Sequence, residues 1–98
     1  MSAVRNYELL VLSDPNVDES KLGIVFERLK DICDKNGAKI VKTTPWGKRR
    51  LAYEIKDLRE GVYHLLDLES HLGAIAKIEA YLRIQTPVLR FLTTAKPE

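Results

Sequence analysis

Ala38-Lys39-Ile40-Val41-Lys42-Thr43-Thr44-Pro45-Trp46-Gly47-Lys48-Arg49-Arg50-Leu51-Ala52-Tyr53-Glu54-Ile55 is the stretch on which the fold turns. In its first part Lys39, Val41 and Thr43 alternate with Ile40, Lys42 and Thr44, the period of a half-buried strand. In its last part Leu51, Tyr53 and Ile55 alternate with Ala52 and Glu54 in the same way. Pro45-Trp46-Gly47 stands between them. It is either a turn or a bulge within one long strand, and periodicity alone leaves both open.

Upstream, Val4 to Leu12 reads as a strand, with Tyr7, Leu9 and Val11 on one face. Asp14-Pro15-Asn16 ends it with turn chemistry, because proline presets its own φ and Asp and Asn bond the local backbone. A helix follows, capped by Asp18 or a neighbour, with Glu19 in the first turn. Leu22, Val25, Phe26, Leu29, Ile32 and Cys33 recur at helical spacing, and Asn36-Gly37 supplies the left-handed stop. Downstream, Lys56 to Gly61 reads as a hairpin loop and Val62 to Leu68 as a strand. His71 to Leu82 reads as a second amphipathic helix, with Leu72, Ile75, Ile78 and Leu82 on one side. Thr86-Pro87 breaks the chain before a last strand, Val88 to Thr94.

The order is β-α-β-β-α-β, the α+β arrangement called ferredoxin-like. Right-handed crossovers put both helices on one face of a four-stranded antiparallel sheet and leave the other face bare. With Tyr7, Leu9 and Val11 under the helices, Glu8, Leu10 and Leu12 fall on the bare face. Leu10 and Leu12 are therefore the candidate partner-binding residues. All 98 residues are expected to form a single domain, ordered from about residue 4 to residue 94.

Charge is distributed unevenly. Residues 1–37 carry −2, residues 38–60 carry +4, and residues 61–98 are balanced, within a net charge of +2. A local patch of this kind attracts a polyanion even where the overall field is weak, although a solvated basic hairpin gives the same composition. No apolar run approaches the roughly 20 residues of a membrane span. The start, Met1-Ser2-Ala3-Val4-Arg5, lacks the character of a signal or transit peptide, so the protein is expected to work in the compartment where it is made. The single cysteine, Cys33, agrees with a reducing cytoplasm.

The residues of catalysis are missing. His64 sits in an apolar strand, His71 at a helix start and Cys33 on a buried stripe, and none falls in a cluster with metal-ligand spacing. Asp67 and Glu69 share a parity but have no base or nucleophile beside them. The five glycines are scattered, so there is no phosphate-cradling loop. Small enzymes of this topology grip an acyl phosphate with a glycine-rich, arginine-bearing loop after the first strand, whereas Ser13-Asp14-Pro15-Asn16 is acidic. No enzyme activity, metal, cofactor or small-molecule substrate is expected.

RNA binding has better support. Lys48, Arg49 and Arg50 are consecutive, so an extended backbone must project at least one of them into solvent. Arginine's planar fork contacts phosphate bidentately and stacks on exposed bases. Arg5, Arg83 and Arg90 are further candidates for the same surface. Trp46 and Tyr53 flank the run as stacking platforms or as sheet packing, and packing is the better reading for Trp46. Arg59-Glu60-Gly61-Val62-Tyr63-His64 faintly echoes the third strand of RNA-recognition motifs, with one aromatic where that motif has two.

Arg5-Asn6-Tyr7-Glu8, the run Trp46 to Ile55, Gly61-Val62-Tyr63 and Val88-Leu89-Arg90 together resemble the bacterial ribosomal small-subunit protein six family, from about Val4 to Thr94. The resemblance implies a ferredoxin-like fold and a place in the small ribosomal subunit. It further implies binding to the central domain of small-subunit ribosomal RNA beside ribosomal protein eighteen, as a heterodimer. It also puts the central run inside one long second strand. Ile84-Gln85-Thr86-Pro87 departs from the family's more polar loop, and Pro87 removes a backbone donor there.

Overall fold

The computed structural model describes residues 4–97; Met1–Ala3, the first residues of the start read above, and Glu98 lie outside the described residues. The element order is β1 (Arg5–Ser13), α1 (Glu19–Lys35), β2 (Lys39–Ile55), β3 (Leu58–Ser70), α2 (Leu72–Arg83) and β4 (Val88–Ala95). The strands form one antiparallel sheet in the order β2-β3-β1-β4. This is the β-α-β-β-α-β architecture expected from the sequence. Among the described residues, no helix is long and apolar enough to cross a membrane.

Strand β1 is central and apolar on both faces, with Leu10 and Leu12 on one and Tyr7, Leu9 and Val11 on the other. Tyr7, Leu9 and Val11 are buried against Val25, Leu29 and Cys33 of α1 and Ala74, Ile75, Ile78 and Leu82 of α2. Leu66 and Leu68 of β3 and Val88 of β4 complete the core. The helices are also tied by polar contacts. The Tyr81 hydroxyl donates to the Val25 carbonyl at 2.9 Å. His71 Nε2 lies 2.9 Å from the Asn36 carbonyl and donates to it, while Nδ1 caps α2 by accepting from the Ala74 N–H. At the end of α1, Gly37 adopts φ +74° and the Ala38 N–H reaches the Cys33 carbonyl at 2.8 Å, a Schellman closure.

Strand β2 runs unbroken through Pro45-Trp46-Gly47. The pairing with β3 slips between Pro45 and Gly47, and Gly47 takes φ +80°, so the interruption is a bulge. The hairpin that follows is tighter than expected. Only Lys56 and Asp57 form the turn, both at positive φ, and Arg59, Glu60 and Gly61 belong to β3 rather than to a loop. Two left-handed residues give the primed turn whose twist matches that of the flanking strands.

Three burial expectations are corrected. Leu72 is 72% exposed because it is the first residue of α2, one turn ahead of the buried stripe. Tyr53 is 61% exposed and does not join the core. Leu12 lies on the sheet face away from the helices, as read, but is only 3% exposed and offers little surface to a partner. It fills a dent left by Gly61, where an added Cβ would sit 2.2 Å from Leu12 Cδ1. Asp18 occupies the N-cap of α1 without a side-chain cap bond; its carbonyl accepts from Lys21 and Leu22 N–H instead.

Candidate nucleic-acid interface

The β2-β3 hairpin is longer than the rest of the sheet, and its far half does not continue in the sheet plane. Tyr53 on β2 and Arg90 on β4 belong to strands at opposite edges of the sheet, yet the Arg90 guanidinium donates a hydrogen bond to the Tyr53 hydroxyl. Leu12, Leu51, Tyr53, Ile55, Tyr63 and Arg90 line one small cavity of about 110 Å³. The arm therefore curls over the face opposite the helices, driven by sheet twist and the bulge at Trp46. It turns that end of the open face into a shallow cup.

The cup gathers aromatic and cationic side chains. Arg49 pairs with Gly61, putting it on the open face, with its guanidinium 5.7 Å from the Trp46 ring centre. Trp46 lies 6.1 Å from Tyr63, tilted by 43°, and Arg90 lies 5.4 Å from the Tyr53 ring centre. Lys48 and Arg50 pair with Val62 and Glu60 and so project toward the helix side. Lys48 lines a cleft of about 450 Å³ there, with Asp14, Glu19, Phe26 and His64. Arg83 is exposed at the end of α2, 5.9 Å from the Phe91 ring centre, also on the helix side.

Arg5 stands apart. It pairs with Ser70 at one end of β3 while Arg50 pairs with Glu60 near the other. Ten β3 positions separate the two, about 33 Å at roughly 3.3 Å per residue. The structure thus gathers Lys48, Arg49, Arg50 and Arg90 around the curled arm, brings Arg83 to the helix side, and leaves Arg5 at the far end.

Along the open face the chemistry changes in rows. Beyond the cup, Leu10 aligns with Leu65 on one side and Leu92 on the other, and Leu92 is 62% exposed. Beyond that row come Glu8, Asp67 and Glu69, with the exposed Lys42 and Lys39 of β2 paired opposite Asp67 and Glu69. Lys96 pairs with Asp67, whose hydrogen bond pushes the lysine pKa up. Tyr63 is the cup-lining ring that the sequence pattern did not single out, whereas Tyr53, open there between stacking and sheet packing, is an exposed ring at the same cup. The parity of Tyr63 with Leu65 was the available signal for one of them. The position of Tyr53 depends on the curl, which leaves no local trace.

The titratable groups elsewhere are inert. Cys33 is fully buried, and burial, then the Asp34 carboxylate, push its thiol up to about 11, leaving no thiolate nucleophile. His64 packs 4.9 Å from Phe26, and burial lowers its pKa below the ordinary 6.5, as for a neutral packing residue. In the loop after β1, the Asn16 N–H is taken by the Asp14 carboxylate at 2.8 Å, the wrong chemistry for an acyl phosphate. Among the described residues, no group of His, Cys, Asp and Glu could hold a metal ion.

Comparison with known proteins gives a consistent result. The family model described as Ribosomal protein S6 matches residues 6–95. The small ribosomal subunit protein bS6 of Desulforamulus reducens is 34% identical over 95 residues, covering 97% of this chain and all of that relative. The crystal structure of 30S ribosomal protein S6 from Thermotoga maritima superposes with a TM-score of 0.86 at 29% identity, over 96% of this chain and 89% of its own.

Proposed function

Since this chain belongs to the ribosomal protein S6 family, a structural and non-enzymatic component of the bacterial-type small ribosomal subunit in the cytoplasm, we propose that it binds the central domain of small-subunit ribosomal RNA beside ribosomal protein eighteen. The mechanism is positioning. Arg49, Arg50, Lys48 and Arg90 grip the phosphates of an RNA junction around the curled arm, with Arg83 and Arg5 touching more distant backbone. The observation that carries this reading is the concentration of exposed cations on the bulged β2-β3 arm, in a chain whose remaining segments are acidic or balanced. Phosphate contacts need charge and donors, and an exposed arginine supplies both without a preformed cavity.

The protein partner docks on the rest of the open face. Leu10, Leu65 and Leu92 offer an apolar row, and beside it Glu8, Asp67 and Glu69 form a mixed-charge row with Lys39, Lys42 and Lys96. A partner that lays apolar side chains on the leucines and polar groups of both signs beside them is the complement of such a surface. Leu10 remains a contact residue in this reading, while Leu12 supports the cup from beneath.

The test is filter binding of a central-domain fragment of small-subunit ribosomal RNA across a salt series, in the presence of ribosomal protein eighteen. The double variant Arg49→Ala/Arg50→Ala is expected to bind more weakly, with a salt dependence shallower by about one to two units of slope. Its thermal unfolding is expected to match that of the native chain, because both side chains are exposed. Undiminished affinity would remove these residues from the interface.

A further inference from the structure

Trp46, Tyr53 and Tyr63 are three of only seven Phe, Trp and Tyr residues in the chain, and all three lie along the curled arm or in the cup beneath it. Trp46 is 42% exposed and Tyr53 more so, although rings of this size gain most by burial. Each has an arginine over it, Arg49 for Trp46 and Arg90 for Tyr53, at the outer range of a cation–π contact. A surface that only gripped phosphate would need the arginines and not the rings.

Aromatic rings beside arginines on an uncovered sheet face are the chemistry that takes up a nucleobase. Paired RNA hides the faces of its bases inside the helix, and its deep groove is closed to side chains. The rings therefore select a nucleotide that is unstacked. The separation of Trp46 and Tyr63, 6.1 Å and tilted, is short of the roughly 7 Å parallel gap that two stacking contacts would occupy, so a base lies on the outer face of Trp46 rather than between the rings. Charge favours RNA over the protein partner at this end. The cup's own charges are Arg49 and Arg90; Glu54, next to Tyr53, is engaged by Arg59 at 3.1 Å, and Glu60, paired with Arg50, is on the helix side. The open-face acids begin at Asp67, four β3 residues from Tyr63, or about 13 Å along the strand.

We propose that Trp46, backed by Tyr63 and flanked by Arg49, is a stacking platform for an unpaired nucleobase, with the Tyr53–Arg90 pair beyond Tyr63 in the same cup. The chain would then recognise a loop or junction nucleotide and not helix backbone alone. This rests on the RNA-binding reading above and assigns a second kind of contact to the same arm.

Trp46 is the only tryptophan of the chain, so its emission reports on this site directly. The full chain is titrated with a single-stranded uridine octamer, an RNA duplex of equal length, and inorganic polyphosphate. Binding of each RNA is followed independently by anisotropy of an end label, with and without ribosomal protein eighteen. The single strand is expected to quench Trp46, while the duplex and polyphosphate leave its emission nearly unchanged at saturation. Trp46→Leu is expected to weaken single-strand binding about 5- to 150-fold and duplex binding less than about twofold, with unfolding unchanged. Single-strand binding without quenching, or an equal effect of Trp46→Leu on both RNAs, overturns the platform and leaves the arginine assignment intact. Loss of pairing with ribosomal protein eighteen while RNA affinity is kept overturns it in favour of a protein contact. No binding of either RNA removes both readings together.

Discussion

Gly61 and Gly47 are both glycines of the β2-β3 arm, but for different reasons. At Gly61 the constraint is space. A Cβ would meet Leu12 Cδ1 at 2.2 Å and Cγ at 3.2 Å, with the Ser13 carbonyl at 3.5 Å. At Gly47 nothing lies within 4 Å, and the constraint is the φ of +80° that makes the bulge. Gly61→Ala is expected to cost roughly 1–3 kcal/mol, because Leu12 is buried and must leave its well to make room. Urea unfolding of Gly61→Ala, Leu12→Ala and the double variant checks this. The two effects should be clearly less than additive, since truncating Leu12 removes the atoms that clash. Additive costs would mean that Gly61 is required for its backbone instead. The same pair explains why Leu12, on the bare face by its parity, offers little surface to a partner: the void that swallows it is made by a residue 49 positions away in the chain.

At the scale of the element, the hairpin depends on Lys56 and Asp57 holding φ of +50° and +65°. Asp tolerates the left-handed region through local hydrogen bonding, but Lys has no such help. Replacing the pair by Asn-Gly is expected to stabilise the protein by about 1 kcal/mol, read as a higher urea midpoint with an unchanged slope. The RNA affinity proposed for the arm should be unchanged, because the turn residues are not among the cations assigned to it. A fall in stability would show that the lysine side chain contributes more than its backbone costs. The turn was illegible because neither residue carries the glycine signal of a primed turn. The polar run from Lys56 to Gly61 therefore reads as a loop, although Arg59 to Gly61 pair within β3. The bulge at Trp46 was legible as an interruption, and its proline and glycine gave both the place and the choice of outcomes.

For the whole molecule, the decisive feature is how the six candidate basic residues are spread over a body of 43 × 27 × 20 Å. Arg5 and Arg50 are separated by nearly the full length of β3, well beyond the screening length of about 8 Å at physiological salt. Arg5→Ala combined with Arg49→Ala/Arg50→Ala is therefore expected to weaken RNA binding additively, within about 0.5 kcal/mol. The measurement is the affinity of the triple variant against those of its parents, and a strong departure from additivity would mean that one RNA element bridges both ends. The open face changes along the same axis, from Arg49 and Arg90 through Leu10, Leu65 and Leu92 to a row where Glu8, Asp67 and Glu69 lie among Lys39, Lys42 and Lys96. In the proposed reading the cationic end takes the RNA and the leucine row takes the protein partner, so the two do not compete.

By itself the sequence determined the element order, the two alternating faces of β1, the buried stripe of α1 and the position of the basic segment. Each of these is a periodicity or a composition within a short window, and hydrophobic burial acts on such windows directly. It also carried the family resemblance, through the run from Trp46 to Ile55. Tertiary structure alone decided which of those cations share a surface, that Leu12 is covered, and that Tyr53 reaches Arg90 across the sheet. These outcomes depend on the curl of a long hairpin past two intervening strands. That curl is set by accumulated twist and by the register shifts of β2 at Ile40/Lys42, Pro45/Gly47 and Arg50/Ile55, and no local residue pattern records where such an arm comes to rest.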